Sequence, residues 1–163
     1  MERVRFQVRV QQYACTGRTL VYVDESGFAH DMPRTHGYAH QGMRCYGTRD
    51  WHARGRQNAI GAIIDCTLLT VCLFDSTVNS DVFHAWLTQD LLPKTPPSSV
   101  IIMDNATFHK REDMREAIAN QGHTLEYLPP YSPDLNPIEK KWAQAKSIRK
   151  KLRCGTTELF SYV

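Results

Sequence analysis

Residues 128–142 read LPPYSPDLNPIEKKW, and this stretch decides how the rest of the chain folds. Four of the chain's eight prolines lie within residues 129–137, a segment that we call the proline strap. Proline fixes φ and has no backbone N–H, so the strap cannot join a sheet and is predicted to cross one. Asn136 is a good N-cap and Pro137 a good first helical residue, so a helix is predicted to start at Asn136. The strap therefore fixes where this helix begins.

Glu139 is then the third residue of the helix, and two interpretations of it are open. In the first it is a capping glutamate that turns back to the backbone of Asn136. In the second its carboxylate enters a cleft, with Lys146 and Lys150 following on the same stripe of the helix. The apolar residues that recur at helical spacing are predicted to face the core: Ile138, Trp142, Ala145, Ile148 and Leu152.

Two apolar runs, TLVYVDE (19–25) and SVIIMDN (99–105), have the composition of strands buried on both faces, and each is predicted to end at an aspartate. If these strands are parallel neighbours, Asp24 and Asp104 meet at the sheet edge where α/β proteins bind ligands. Carboxylates so close repel each other, and a divalent cation such as Mg²⁺ removes that penalty. The alternative is that each aspartate caps a helix or stabilises a turn.

The remaining pattern predicts an α/β fold with a mixed central sheet flanked by helices. Strands are predicted in the runs 57–66 and 68–76, joined by a tight break around residues 65–67. Helices are predicted in 81–92 and in 110–122, the second closed by Gly122, and another strand in 123–128. The alternation in residues 4–13 suits a strand, but the spacing of Phe6, Val10 and Tyr13 also suits a helix. Residues 27–56 are predicted to form a loop or hairpin insertion that carries Arg34, Arg44, Arg49, Arg54 and Arg56.

Length and composition predict one domain. A chain of 163 residues, 42% hydrophobic, builds one ordinary core. Its apolar runs are too short to cross a membrane, and the N-terminus has no signal-peptide core, which predicts a cytoplasmic protein. Five cysteines without a CxxC pair indicate reduced thiols. The net charge is only +3, but residues 140–153 hold seven Lys or Arg and no acid, which favours either a phosphate-binding face or a solvated helix surface.

Three segments resemble the catalytic blocks of mariner-like DDE transposases, in particular the bacterial insertion-sequence branch. They are VYVDESGF (21–28), IIMDNATFH (101–109) and LPPYSPDLNPIEKKW, in the order of that family, and 34 residues separate Asp104 from Glu139. The resemblance covers about residues 18–153. It implies a ribonuclease H-like fold in which Asp24, Asp104 and Glu139 are catalytic and hold two Mg²⁺ or Mn²⁺ ions. We therefore expect the three acids to converge within metal-bridging reach.

The resemblance also implies a reaction and partners. The reaction is DNA cleavage and strand transfer by in-line displacement, with one ion activating water or a 3′-hydroxyl and the other stabilising the leaving oxygen. The partner is double-stranded DNA, at transposon ends and target. A homodimer, or a complex with an upstream-frame product carrying a helix-turn-helix, is expected. The protein would act on DNA in a bacterial cytoplasm.

The expected domain division is a lead-in segment, 1–19, and a catalytic domain, 20–163, without the N-terminal helix-turn-helix of full-length family members. This leaves an alternative function: a non-catalytic DNA-binding or dimerisation fragment of a decayed or frameshifted insertion-sequence transposase. An N-terminal recognition domain reads the transposon ends in that family. DNA binding by this chain is therefore expected to be indifferent to sequence.

The candidate nucleic-acid contacts are Lys140, Lys146, Arg149, Lys150 and His109. His109 follows Asp104 by five residues, so it either contacts the scissile phosphate or caps and packs locally. Trp51 and Tyr131 either stack on bases or pack locally. Zinc binding by His30, His36, His40 and Cys45 is disfavoured because no CxxC pair accompanies them.

Overall fold

The computed structural model describes residues 1–32, 37–46, 55–106 and 110–163. Within these residues one mixed sheet contains β1 (Leu20–Ala29), β2 (Arg56–Ile64), β3 (Thr67–Phe74), β4 (Val100–Met103) and β5 (Thr124–Tyr127). The strand order is β3-β2-β1-β4-β5. The first three strands pair antiparallel, whereas β4 and β5 run parallel to β1. The predicted α/β class and mixed sheet are confirmed.

The helices of the described residues are α1 (Glu2–Cys15), α2 (Ser80–Trp86), α3 (Leu92–Lys94), α4 (Glu112–Asn120), α5 (Ile138–Leu152) and α6 (Thr156–Leu159). A π-helical turn, Leu87–Leu91, joins α2 to α3, and the strap contains a 3₁₀ turn, Pro133–Leu135. The ambiguous N-terminal pattern is thus a helix. Phe6 is buried against β4, and Val10 and Tyr13 pack beside it at helical spacing.

The two faces of the sheet are covered by different helices. On one face, α2, α3 and α4 pack against Val21 and Val23 of β1 through a wholly apolar cluster. On the other face, α5 packs over β1 and β2, where Trp142 contacts the cluster around Phe28. Helix α1 packs beside it over β4. The result is three layers, and β1 is buried on both of its faces.

Strand β1 is longer than predicted. It does not end at Asp24 but continues to Ala29, because its antiparallel pairing with β2 runs from Val21–Ile64 to Ala29–Arg56. The recorded parallel pairing with β4 stops at Tyr22–Ile102. Asp24 therefore lies inside β1, yet just beyond the end of the parallel ladder.

Helix α5 also differs in two details from the prediction. It starts at Ile138 with Pro137 as N-cap, and Asn136 makes no side-chain cap. Leu152 was expected in the core but is 52% exposed, whereas Arg149 is 7% exposed. Near its C-terminus α5 runs past the end of β1, where the Arg149 Nη1 donates to the carbonyl oxygen of Ala29 at 2.7 Å. The buried side of the last turns of α5 therefore includes Arg149 and not Leu152.

The predicted insertion at 27–56 begins and ends in strands, since β1 and β2 occupy its two ends. Residues 37–46 contain no helix or strand, and Arg44 among them is exposed. Three of the predicted arginines lie outside the described residues: Arg34, Arg49 and Arg54. In the part of the chain that the structure describes, every helix is too short or too polar to cross a bilayer.

Candidate active site

Strand register places the two aspartates side by side. The last recorded parallel pair of β1 and β4 is Tyr22–Ile102, and Asp24 and Asp104 each follow by two residues. Side chains alternate along a strand, so Asp24 points to the same face as Tyr22 and Phe28. That face is the one covered by α5. The predicted meeting of the two aspartates at one sheet edge agrees with this register.

A glycine on the neighbouring strand sets the distance of α5 from this edge. Gly61 of β2 pairs with Asp24. A Cβ placed on Gly61 would lie 2.7 Å from ring carbon Cη2 of Trp142, so the indole packs directly on bare backbone. Glu139 lies three residues before Trp142 and therefore on the same side of the helix. The contact between Gly61 and Trp142 thus brings Glu139 close to Asp24.

The three predicted acids line one cleft of about 380 Å³. The cleft is also lined by Asn105, Ala106 and Leu128, and by residues 129–133 and Asn136 of the strap. Glu139 is exposed at the rim, and its carboxylate makes no hydrogen bond or ion pair with any described residue. The capping interpretation of Glu139 therefore finds no support. The cleft is where the strap, the end of β4 and the start of α5 come together.

The cleft is not a closed metal site as it stands. Within residues 1–32, 37–46, 55–106 and 110–163, no group of three or more His, Cys, Asp or Glu is arranged to hold a metal ion. The acids share a cleft without forming a ready-made three-ligand cluster, and their convergence within metal-bridging reach stays a prediction. Mutual repulsion is expected between carboxylates that share a cleft without a cation between them.

The electrostatics of Asp24 show this repulsion. Burial raises the pKa of Asp24, and the charges of Glu139, Glu25 and Asp104 raise it further, to about 7. A backbone hydrogen bond at Glu25 opposes the shift only in part. Asp104 is held by its Oδ1, which accepts from the backbone N–H of Ala106 at 3.1 Å. The cleft therefore gathers negative charge around Asp24.

Helix α1 fixes the strap that forms the cleft wall. Arg3 Nη1 donates to Ser132 Oγ at 3.1 Å and to Asp134 Oδ1 at 3.0 Å. The hydrogen bond from Arg3 holds the pKa of Asp134 below its usual range. The hydroxyl of Ser132 donates to the carbonyl oxygen of Pro130 at 3.1 Å. The sequence analysis missed this role of α1, because the pairing joins residues 131 positions apart.

Asn136 is a second residue that sequence reasoning misread. It is 4% exposed and lines the cleft, and its Oδ1 has no hydrogen-bond partner among the described residues. Its backbone oxygen, rather than its side chain, starts the helix by accepting from Glu139 N at 3.2 Å. The available sequence signal for this position was an amide side chain within the motif, three residues before a predicted catalytic acid.

The predicted nucleic-acid contacts are distributed unevenly. Lys140, Lys146 and Lys150 are exposed on α5. Lys146 and Lys150 flank a pocket of about 200 Å³, and Lys146 Nζ lies 5.7 Å from the ring centroid of Phe28. Arg149 is buried in the same region and bonded to Ala29, so it contributes to packing. His109 lies outside the described residues.

This chain is similar to known proteins in its sequence and in its fold. The family model of the DDE superfamily endonucleases matches residues 19–158. The Mos1 transposase paired-end complex with left transposon end superimposes with a TM-score of 0.70 at 19% identity, over 88% of this chain and 46% of that chain. The Mos1 strand transfer complex gives 0.64 at 19% identity, over 81% and 42%. None of the curated proteins matches the sequence.

A third solved structure is similar to this chain in its fold. A simian T-cell lymphotropic virus intasome gives a TM-score of 0.57 at 12% identity, over 82% of this chain and 40% of that chain. This chain spans less than half the length of these three proteins. The expected ribonuclease H-like fold, that of the mariner transposase catalytic domain, is confirmed. Because the family match covers most of its length, the chain belongs to the DDE superfamily of endonucleases.

Proposed function

We propose that this chain is a transposase catalytic domain that cleaves DNA strands and transfers them in a metal-dependent reaction. The observation that carries the proposal is the cleft shared by Asp24, Asp104 and Glu139, which come from β1, the end of β4 and the start of α5. Three separated segments of a DDE family member supply the three acids in the expected order. No covalent intermediate with the protein is needed for in-line phosphoryl transfer.

The residues of the cleft fit two Mg²⁺ or Mn²⁺ ions. All three acids offer hard oxygen ligands, which these cations prefer, and the raised pKa of Asp24 shows that the cleft favours added positive charge. Mos1 paired-end complexes have been crystallised with Mn and with Mg. When bound, the ions would activate the attacking hydroxyl and stabilise the leaving oxygen. We assign Asp24 and Asp104 as ligands on fixed backbone and Glu139 as the ligand that closes the set.

The residues around the acids position the reaction. The strap, held by Arg3, forms a stiff wall that limits where a substrate strand can lie. Gly61 and Trp142 fix the approach of α5, and with it the rim position of Glu139. Asp24, half-enclosed by the sheet, is the acid whose protonation is most affected by the others. The residues therefore have different roles: the three acids are metal ligands, the strap forms a wall, and Gly61 and Trp142 set the position of α5.

DNA is the proposed substrate, bound through its phosphates. Lys140, Lys146 and Lys150 present cations along the exposed side of α5, beyond the acidic cleft. Such contacts neutralise the backbone without reading bases, so affinity should fall steeply with salt and vary little with sequence. We expect the chain to act as a homodimer or in a complex with an upstream-frame product that carries a helix-turn-helix, and that product would supply recognition of transposon ends. We place the protein on DNA in the cytoplasm of a bacterium.

Nicking of supercoiled plasmid in Mn²⁺ tests the proposal. The parent should nick, and Asp104→Asn should not, while the variant keeps its affinity for DNA because it loses only an anion and a ligand. Asp75→Asn is the matched control, since Asp75 is exposed just after β3 and, among the described residues, accepts a side-chain hydrogen bond only from Gln57. Equal nicking by Asp104→Asn and the parent would refute the proposal.

A non-catalytic fragment is the second candidate function. One observation favours it: the described residues hold no group of three or more His, Cys, Asp or Glu arranged to bind a metal ion. This candidate predicts salt-sensitive DNA binding with no nicking in Mg²⁺ or Mn²⁺. Metal-dependent nicking that is lost in Asp104→Asn would exclude it.

A further inference from the structure

A second cleft adjoins the acidic one. Its volume is about 300 Å³, and α1 forms one wall through Glu2, Arg5, Phe6 and Arg9. The opposite wall consists of Asn105, Tyr127 and residues 128–130. Asn105 and residues 128–130 also line the acidic cleft, so the two clefts share a wall. We call the second one the α1 cleft.

The α1 cleft contains a cation, Arg5, that has no partner among the residues the structure describes. The Arg9 guanidinium donates to Glu126 at 3.2 Å, and Arg3 is paired with Asp134. Arg5 is exposed and makes no side-chain hydrogen bond or ion pair with any residue that the structure describes. Its guanidinium is therefore available for an anion from outside. The fork of donors on arginine matches phosphate oxygens.

The helix that carries Arg5 is firmly placed. Phe6, the next residue, is 3% exposed and packs against Val100, Ile102 and Leu128. The pair of Arg3 with Asp134 holds the same turn of α1 to the strap. Because both contacts fix the first two turns of the helix, the Arg5 side chain starts from a fixed point above the cleft. A merely solvated arginine needs no such placement.

Cationic side chains flank the acids on two sides. Helix α5 covers β1 and β2, and α1 covers β4 on the same face of the sheet. The acidic cleft lies between them, with Lys146 and Lys150 on the α5 side and Arg5 on the α1 side. A phosphodiester strand crossing the acids is repelled at the centre. Cations on both sides would hold it there.

We infer that the α1 cleft binds the backbone of the same strand whose reacting phosphate lies in the acidic cleft, with Arg5 contacting a nearby phosphate. The inference rests on the proposed function and extends it, because it gives the lead-in segment 1–19 a part in substrate binding. It also gives the strand a path: from the α5 lysines, across the acids, over Asn105 and into the α1 cleft. The ligand class is a polynucleotide backbone.

The test measures DNA affinity in the cleavage-inactive Asp104→Asn background, so that turnover does not interfere. Fluorescence anisotropy with a labelled 30-base-pair duplex, repeated over a series of NaCl concentrations, gives the salt slope of log affinity. Loss of one phosphate contact in Arg5→Gln should reduce the magnitude of that slope by about 0.9. Arg115→Gln is the matched control, because Arg115 is exposed on α4, on the opposite face, and lines neither cleft. It should leave the slope unchanged.

A second measurement locates the contact. Methylphosphonate linkages remove the charge of one phosphate at a time in the duplex. One position should weaken binding of the Asp104→Asn protein yet have no further effect with Arg5→Gln added, since coupled groups are not additive. An unchanged salt slope in Arg5→Gln, or additive losses at every phosphate, would overturn the inference. If Lys146→Gln and Lys150→Gln still flattened the slope in that case, the proposed function would stand. Absence of DNA binding by the parent would overturn both.

Discussion

Two partly buried aspartates on opposite faces of one sheet have opposite surroundings. Asp90, in the π-helical turn, accepts hydrogen bonds from Thr70 and from Lys94 Nζ, the latter at 2.5 Å. Burial alone would raise the pKa of Asp90, but these donors hold it below its ordinary value. Asp24 is surrounded by other acids, and its pKa is raised to about 7. Asp90 is paired with donors inside the fold, whereas the charges around Asp24 disfavour its ionisation.

The two aspartates also differ in where they lie in the sheet. Asp90 joins the end of a helix to edge strand β3, so its partners lie within the chain. Asp24 lies at the centre of the sheet, where the negative charges of Glu139 and Asp104 raise its pKa. Keeping such a group ionised costs folding energy, and perturbed carboxylates of this kind cluster at functional sites.

The largest expected effect is on activity. Asp24→Asn should abolish metal-dependent nicking, because an amide is a poor substitute for an anionic ligand. Asp90→Asn should nick like the parent, since Asp90 lines no part of the cleft. Plasmid relaxation assays in Mn²⁺ compare the two directly. Equal loss in both variants would erase the distinction between the two acids.

The next effect is on stability as a function of pH. The folded-state pKa of Asp24 is raised from 3.8 to about 7, so the folded protein binds this proton more tightly than the unfolded chain. The associated stability is fully present below pH ~3.8 and is lost as pH rises through about 7. Without metal, Asp24→Asn should become more stable relative to the parent as pH rises. The difference between their free energies of unfolding should increase by up to about 4 kcal/mol between pH 4 and pH 8.

Urea unfolding in EDTA at several pH values measures this gain. His123 titrates in both proteins: burial, helped by the charge of Arg18, lowers its pKa, so its stability contribution is lost as pH falls. The difference between the variant and the parent cancels this effect. A difference that stayed constant with pH would show that Asp24 is not perturbed.

A smaller effect should follow from closing the space beside Asp24. Gly61→Ala places a Cβ 2.7 Å from the Trp142 ring, so α5 must shift. Overpacking of this kind costs about 1–3 kcal/mol, and nicking should fall because Glu139 moves with the helix. Gly155→Ala is the matched control, since nothing lies within 4 Å of its added Cβ. Thermal unfolding and nicking of both variants would show whether Gly61 and Trp142 set the position of α5.

The smallest effect belongs to Asp90. Asp90→Asn keeps the shape but removes the charge that pairs with Lys94, whose side chain is 48% exposed. Solvent screening at such a pair leaves a loss of about 1 kcal/mol. Urea unfolding at pH 7 measures it. A gain in stability would mean that Asp90, like Asp24, is strained in the folded protein.

The sequence indicated the acids more reliably than their surroundings. Asp104 follows a short apolar run, and Glu139 follows a proline strap, so both were recognisable locally. The extension of β1 to Ala29 was not, because it depends on pairing with β2 after a long insertion. The pairing of Arg3 with Asp134 and the packing of Trp142 on Gly61 also join distant segments. Periodicity and capping rules report local preferences, whereas these contacts depend on the assembled sheet.

We propose that divalent cations neutralise the negative charge that Asp24, Asp104 and Glu139 bring together in the cleft. Calorimetric titration of the parent with Mn²⁺ at pH 7.5 tests it most directly, with Asp24→Asn and Asp90→Asn measured alongside. We predict that the parent and Asp90→Asn bind Mn²⁺ alike and that Asp24→Asn binds it at least about tenfold more weakly, a loss of roughly 1.4 kcal/mol. Equal Mn²⁺ affinity in the parent and Asp24→Asn would contradict the claim.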